Sequence, residues 1–192
     1  MKTLNLVSLT LWGALSLIGC EYAGPSSVTV PAASTSPAWQ VCFSPRGGCT
    51  QLIVETIASA RASVLVQAYS FTSRPIAQAL IDAHRRGVQV EAILDDSQRR
   101  ERQSLASRLA QAAIPVFIDA QHRIAHNKVM IIDGDTVITG SFNFTRAAEE
   151  SNAENLLVIR DRPLAQRYQE NWRLHRIHAA PFTGSSARGA RR

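Results

Sequence analysis

The chain has 192 residues, of which 45% are hydrophobic and 19% are charged, with a formal net charge of +6 at pH 7. This length and composition allow one buried core plus extensions, and they exclude an intrinsically disordered chain. The basic charge predicts an acidic partner, either nucleic acid or an anionic membrane surface, and does not choose between them.

Residues 1–19 are predicted to be an export signal. Lys2 precedes an apolar stretch, Leu4 to Ile18, that is too short and too interrupted to span a membrane. The stretch ends in Leu-Ile-Gly-Cys at Cys20, which resembles the bacterial lipoprotein box, where the cysteine becomes the lipidated first residue. We therefore expect membrane attachment through Cys20 and a periplasmic or cell-envelope location, with the outer membrane favoured. A soluble periplasmic or secreted protein is the alternative.

The chain has three cysteines, an odd number for an oxidising compartment. If Cys20 is lipidated, Cys42 and Cys49 remain and can pair with each other. Their bridge would close a short loop and contribute about 2 to 3 kcal/mol in the chain-entropy model. Two free thiols are the alternative.

The composition divides the chain into a tether, a folded domain and a tail. Residues 20–38 are rich in Ser, Pro, Ala and Thr and are predicted to be a flexible tether. Residues 39–181 carry the periodic apolar patterns of a folded domain, and residues 182–192 form a basic tail that we expect to be disordered.

Helices and strands are predicted to alternate within the folded domain, which favours a layered α/β fold. No internal repeat is visible. The predicted elements, in chain order, are a helix around 52–57, a strand at 63–69, a helix at 74–87, strands at 88–94 and 116–118 separated by a helix at 97–113, a hairpin of 128–133 and 136–139 around Gly134-Asp135, a strand at 156–160 and a helix at 163–176.

Lys128 is the only lysine after Lys2, while the chain contains 19 arginines. A compact ammonium donates hydrogen bonds differently from the wide guanidinium fork, so a lysine kept two residues from His126 suggests a specific role. Two residues of an extended strand span about 6.5 to 7 Å and point to the same face, which lets both side chains address one ligand.

Ser141 and Asn143 share a strand face by the same rule, and Gly140 permits close backbone approach just before them. An imidazole, an ammonium, a hydroxyl and a carboxamide can attack a phosphodiester, with one nucleophile and several donors for the charge on the phosphoryl oxygens. This pattern requires no metal.

Six residues together form the string His-x-Lys-x4-Asp-x6-Gly-Ser-x-Asn, which resembles the signature of the phospholipase D superfamily. From about residue 40 to 175, the chain also resembles the small bacterial endonucleases of that superfamily, in the segments that begin at Val41, Ala68 and Gly140. The resemblance implies one α/β domain with a mixed central sheet flanked by helices on both faces. It also implies hydrolysis without a metal or other cofactor. The six residues are His126, Lys128, Asp133, Gly140, Ser141 and Asn143.

The resemblance also assigns roles to individual side chains. His126 would be the nucleophile that forms a phosphohistidine, and Lys128 and Asn143 would hold the nonbridging phosphate oxygens. Ser141 would donate a hydrogen bond at the site, and Glu154 would orient the histidine ring. Asp133 belongs to the motif, either as a catalytic residue or as a structural partner in the hairpin.

This chemistry needs one histidine to attack and a second to protonate the leaving oxygen. The chain has one copy of the motif, so we expect a two-fold homodimer that brings two copies face to face. The leading hypothesis is an exported, metal-independent, non-specific endonuclease acting on DNA, with RNA as a second candidate substrate. A phospholipase D acting on phosphatidyl lipids and a nucleic-acid-binding envelope protein are the alternatives.

Other polar residues have plainer interpretations. A surface or substrate-facing position is predicted for His122, and the pair Asp95-Asp96 is predicted to cap a loop. The arginines from Arg99 to Arg102 either pair with Glu101 on a solvated helix face or track phosphates. Solvated positions are predicted for His84, Glu149, Glu150, His175 and His178.

Overall fold

The computed structural model of the chain describes residues 38–183. The export signal, Cys20, nearly all of the tether and the tail from 184 lie outside the described residues. The described residues contain eight strands: β1 (Trp39–Ser44), β2 (Ser63–Ala68), β3 (Gln89–Asp95), β4 (Val116–Asp119), β5 (Lys128–Ile132), β6 (Thr136–Gly140), β7 (Glu154–Arg160) and β8 (Ala180–Pro181).

The helices follow the strands in an alternating order in the first half of the domain. Within residues 38–183, no helix is both long and apolar enough to cross a membrane. The helices are α1 (Cys49–Ala58), α2 (Arg74–Arg85), α3 (Ala106–Gln111), α4 (Arg146–Glu150) and α5 (Arg162–His178), and a short 3-10 helix spans Asp96–Arg99.

The strands form one mixed sheet in the order β1-β7-β6-β5-β2-β3-β4-β8. β2, β3 and β4 run parallel to one another, and all the other neighbours are antiparallel. Parallel neighbours need a helical crossover, which α2 and α3 supply, whereas β5 and β6 need only a tight turn. The predicted mixed sheet is confirmed.

Alternate residues of the central strands pack into two hydrophobic cores, one on each face of the sheet. Val64 and Val66 of β2 pack in the core that contains residues of α1, α2 and α3, such as Ile53. Leu65, between them, packs on the opposite face in a second core with Trp172 of α5. Because strand side chains alternate, one strand contributes to both layers. The prediction of helices on both faces is confirmed.

The predicted helix at 97–113 is wrong. A 3-10 turn ends at Arg99, and α3 covers only Ala106–Gln111. Side chains compete for the backbone donors in between: Asp95 accepts from the Ser97 N–H and Glu101 accepts from the Gln103 N–H. Such local bonds favour turns over a continuous helix.

β1 is an edge strand paired with β7, and the sequence patterns did not predict it. Its residues alternate in burial, with Cys42 and Ser44 buried and Trp39, Val41 and Phe43 exposed. The predicted disulfide between Cys42 and Cys49 is present. It joins β1 to the first residue of α1, so the bridge fixes the edge strand to the helical layer.

Candidate active site

His126 and Lys128 lie side by side where β5 begins. Lys128 Nζ is 2.9 Å from His126 Nδ1 and donates a hydrogen bond of 2.7 Å to the His126 carbonyl oxygen. The ring of Tyr69, which follows β2, lies 4.5 Å from the His126 ring and 5.3 Å from Lys128 Nζ, measured to the ring centroid. The antiparallel register pairs Ala68 with Lys128, so Tyr69 forms a wall of the site.

His126 and Lys128 differ in their exposure to solvent. His126 is exposed, whereas Lys128 is only 7% exposed. Burial disfavours the charged ammonium and lowers the pKa of Lys128, and the negative charge of Glu154 opposes this shift without cancelling it. A desolvated ammonium donates strongly because little water competes for it. The site therefore combines an accessible imidazole with a shielded positive charge.

Gly140 ends β6 and turns the chain toward the site. The register of β5 and β6 pairs Met130 with Ile138, so continuing it by two residues sets Gly140 beside Lys128. Gly140 has a φ of 140°, and a Cβ at this position would overlap the carbonyl oxygen of Asn155. Only glycine fits both the conformation and the space, so the motif glycine is a geometric requirement of the loop that follows.

That loop presents alternate side chains to the site and to the core. Phe142 and Phe144 are fully buried, and Phe144 bridges to Phe71 beyond β2. Ser141 is exposed and Asn143 is half-buried. Anchoring the two phenylalanines in the core fixes the backbone and directs the intervening polar residues outward.

The two polar residues of this loop differ in their hydrogen bonds. The Ser141 hydroxyl accepts from the backbone N–H of Asn155 at 3.1 Å and from its carboxamide at 3.3 Å. In contrast, the buried Asn143 Oδ1 has no hydrogen-bond partner among the described residues. A buried polar atom without a partner is costly and is rare in native proteins. Asn143 Oδ1 is therefore free to accept a hydrogen bond, and Ser141 is tied to β7.

Among the described residues, Glu154 makes no hydrogen bond to the His126 ring. Glu154 opens β7 opposite Ser44, two strands away from β5, and its carboxylate accepts from the Asn152 side chain at 3.2 Å. The ring nitrogen Nδ1 faces Lys128 instead. The expected orienting bond is therefore not formed, and the negative charge of Glu154 acts to raise the pKa of Lys128.

Asp133 lies at the far end of β5 and is structural. Its carboxylate accepts hydrogen bonds from the N–H groups of Arg61, Ala62 and Ser63 at 2.9, 2.8 and 2.9 Å. Burial would raise the pKa of this carboxyl, but these three bonds and the Arg61 charge outweigh it and lower the pKa. Asp133 therefore fixes the start of β2 against the hairpin, and it does not join His126 and Lys128.

Asp95 caps the turn that follows β3 and also binds the segment before His126. One carboxylate oxygen accepts from the Ser97 N–H at 2.9 Å and the other from the Ala125 N–H at 2.7 Å. Asp95 is buried at the end of β3. The predicted capping role is confirmed, and the cap places a rigid contact one residue before the site histidine.

Several predictions for the remaining polar residues are wrong. Glu149 is not solvated: its carboxylate accepts from the N–H groups of Gly48 and Thr50 and so caps α1, which has no side-chain cap of its own. Arg99 and Arg100 pair with Asp96 rather than with Glu101. Pairing across a turn depends on the 3-10 conformation, which the sequence did not predict.

A second group of polar residues was missed altogether. Asp119, at the end of β4, is fully buried and lies beside three histidines, His122, His175 and His178. The prediction that His175 and His178 are solvated is wrong, since both are half-buried against this carboxylate. The cluster brings together residues from two distant segments, so no local motif could have revealed it.

Comparison with known proteins places the site in a family. A family model described as "Cardiolipin synthase, PLD-like domain" matches residues 53–174, which is more than half of the chain and includes every residue of the six-residue motif. The chain belongs to the phospholipase D-like family.

Relatives in sequence and structure agree with this family. A protein named phospholipase D from Rickettsia bellii is 50% identical over 131 residues, which are 68% of this chain and 65% of that protein, so the chain spans less than two thirds of that relative's length. The crystal structure of a phospholipase D family member, Nuc from Salmonella typhimurium, has a TM-score of 0.74 and 39% identity, covering 78% of this chain and all of the other. NucT from Helicobacter pylori has a TM-score of 0.68 and 26% identity, covering 75% and 99%.

In this phospholipase D-like domain, the motif residues divide into two groups by position. His126, Lys128, Ser141 and Asn143 gather where β5 begins and β6 ends, whereas Asp133 stabilises the opposite end of the hairpin. The first group can therefore act on one phosphate.

Proposed function

We propose that this chain is a metal-independent phosphodiester hydrolase that cleaves DNA without sequence preference, with RNA as a second substrate. The observation that carries the proposal is the exposed His126 ring with the buried Lys128 ammonium 2.9 Å from its Nδ1, in a domain whose next loop carries Asn143. These groups can bind a phosphate. Because the phosphate is the same at every nucleotide, such contacts give no sequence preference. The net charge of +6 and the resemblance to small bacterial endonucleases support nucleic acid as the substrate.

The proposed reaction begins with a change of partner for Lys128. While Lys128 donates to Nδ1, the ring proton of a neutral His126 resides on Nε2, which then has no lone pair for attack. An incoming phosphate oxygen draws the ammonium away from Nδ1. The ring can then hold its proton on Nδ1 and present the Nε2 lone pair to phosphorus. Lys128 and Asn143 stabilise the charge on the nonbridging oxygens.

Two displacements complete the cycle. In the first, Nε2 of His126 forms a bond to phosphorus and the bond from phosphorus to one sugar oxygen breaks, while a second histidine donates a proton to that oxygen. In the second, water attacks phosphorus and gives a proton to the second histidine. The phosphorus–nitrogen bond breaks, its electron pair returns to His126, and a phosphate monoester leaves.

The second histidine would be the same residue of a second copy. An uncovered apolar strip supports this dimer: Trp39, Val41 and Phe43 of β1 are 57%, 42% and 66% exposed and point to one face of the sheet. Phe43 pairs with Asn155, whose backbone and side chain bond Ser141, so the strip ends at the site. An isologous interface here would bury the apolar strip and bring two sites together.

A lipid substrate is the second candidate function. It is favoured by the Rickettsia relative, which is 50% identical and carries the name phospholipase D. The same attack by His126 would then break the phosphodiester of a phosphatidyl lipid. The site chemistry is shared, so only the substrate distinguishes the two functions.

Export and lipid attachment belong to the same proposal. The apolar stretch and the lipoprotein-like ending at Cys20 support delivery to the cell envelope, with DNA outside the cytoplasm as the substrate. Metabolic labelling with palmitate tests the anchor directly. Label on the wild-type protein and none on Cys20→Ala is expected, and equal labelling of the two would contradict lipidation.

One assay tests the catalytic proposal and its alternative. Purified protein is incubated in chelator with supercoiled plasmid DNA and, separately, with phosphatidylcholine vesicles, beside His126→Ala and the control His84→Ala, a histidine on α2. We expect DNA nicking by wild type and the control and none by His126→Ala. Intact DNA in every sample would reject the nuclease, and choline release without nicking would select the lipid substrate.

A further inference from the structure

Three histidines surround one buried carboxylate at the edge of the sheet that contains β4. Asp119 Oδ2 is 2.7 Å from His175 Nδ1 and 3.1 Å from His122 Nδ1, and Asp119 Oδ1 is 3.3 Å from His178 Nε2. The four side chains each offer one ligand atom, and these atoms all lie within 4.8 Å of one another. They form the Asp119 cluster.

Two segments of the chain build the Asp119 cluster. His175 and His178 are three residues apart in the last turn of α5, so they share one face of that helix. His122 follows β4 in the loop that leads to His126. The three imidazole rings lie 4.8, 5.3 and 5.4 Å apart, measured between centroids. Three rings packed this closely would repel one another if all were protonated.

Hydrogen bonds do not account for the whole cluster. His178 Nε2 is buried and has no hydrogen bond among the described residues, although it lies 3.3 Å from Asp119 Oδ1, because the direction of that contact is unsuitable. Asp119 is fully buried, and three histidines and the Gln121 N–H surround its two oxygens. The buried His178 Nε2 is therefore free to bind a further species beside this carboxylate.

We infer that Asp119, His122, His175 and His178 bind one divalent transition-metal ion, with zinc the best match. Three imidazoles and one carboxylate are nitrogen and oxygen donors typical of zinc, whereas calcium and magnesium prefer oxygen donors alone. Bonds of about 2.0 to 2.1 Å in a tetrahedral site place ligand atoms about 3.3 Å apart. The contacts of 2.7 to 3.3 Å lie at this spacing or up to about 0.6 Å below it, and the widest separation, 4.8 Å, closes with a ring movement of about 1.5 Å.

The ion would stabilise the segment that carries the site histidine. His122 is four residues before His126, and Asp95 already holds Ala125 between them. Binding would tie this loop to the end of α5 and to β4. Such a role is structural: the ligands lie in a group separate from His126 and Lys128, and the proposed phosphodiester chemistry does not use them.

Metal binding to protein without a polyhistidine tag tests the inference. The purified protein is stripped with chelator, dialysed and titrated with ZnCl₂ by calorimetry, then with CoCl₂, whose visible bands report a tetrahedral site. We expect one ion per chain. At a zinc concentration of 100 times Kd, the melting temperature should rise by about 5 to 10 °C.

Three variants locate the site. His122→Ala removes a ligand that is 45% exposed, and Asp119→Asn keeps the shape of the buried side chain, so at least one should fold. Each is expected to weaken zinc binding at least about tenfold, while His84→Ala, which removes a histidine outside the cluster, should bind normally. Absence of binding, or binding that neither cluster variant weakens, would overturn the inference and leave a carboxylate with histidine hydrogen bonds only. These readouts do not depend on nuclease activity.

Discussion

Replacing Lys128 with methionine tests separately what the ammonium contributes to catalysis and how its burial affects the stability of the fold. Methionine has a similar length and no charge. Lys128 is 7% exposed, and burial lowers its pKa, so the folded state disfavours the charged form that the unfolded chain carries at neutral pH. Lys128→Met removes this cost but also removes the 2.9 and 2.7 Å contacts with His126. Because His126 is exposed, water can replace those contacts.

The two effects on stability should nearly cancel. A net hydrogen bond is worth about 1 kcal/mol, and loss of the buried charge acts in the opposite direction, so we expect the free energy of unfolding to change by less than about 1 kcal/mol. Catalysis has no such compensation. Removing one donor to developing negative charge typically reduces kcat by about 10² to 10³, equivalent to about 2.7 to 4 kcal/mol of transition-state stabilisation.

Urea unfolding and plasmid nicking measure these two quantities on the same preparations. Lys128→Arg is the matched control, because it keeps the charge and replaces the compact ammonium with a larger planar group. We expect it to lose about 1 to 3 kcal/mol of stability through overpacking and to leave activity low. If Lys128→Met kept activity within tenfold of wild type, or lost more than about 3 kcal/mol of stability, Lys128 would be a structural residue and our reasoning would be refuted.

Three further predictions follow from other contacts. Asp133→Ala should lose about 2 to 3 kcal/mol of stability at pH 7 without losing kcat. Because the fold lowers the pKa of the Asp133 carboxyl, the difference in stability from wild type, measured by urea unfolding, should shrink as the pH falls below about 4. A difference that stays constant with pH would contradict this prediction. Gly140→Ala should cost about 1 to 3 kcal/mol in the same measurement because of its φ and the overlap with Asn155, and an unchanged midpoint would refute that clash. Phe43→Ser should shift light scattering toward monomer and reduce nicking together, and an active monomer would disprove the dimer.

The strands and the motif could be predicted because their signals are local. Apolar runs predicted β2 and β3, and the Gly134-Asp135 pair predicted the hairpin. In the structure, Asp133 and Gly134 adopt positive φ, so the turn begins one residue earlier than predicted. Within residues 38–183, the large departure in helix length was at 97–113, where side chains of Asp95 and Glu101 bind backbone donors that a helix would have used.

Contacts between distant segments could not be predicted in the same way. Glu149 caps α1 from a helix about 100 residues away in sequence. Asp119 meets His175 and His178 only because β4 lies under the end of α5. Each of these side chains looks like an ordinary solvated residue in its own neighbourhood. Their roles depend on the packing of layers, which single-sequence patterns do not contain.

The covalent intermediate tests our central claim most directly. A short DNA duplex is mixed with enzyme in chelator, the reaction is quenched within the first turnover, and the digested protein is analysed by mass spectrometry. We predict a nucleotide linked through phosphorus to His126, lost on longer incubation as water releases it, and absent from His126→Ala. Cleaved DNA with no protein-linked phosphate at any early time, or the same adduct in His126→Ala, would contradict attack by this histidine.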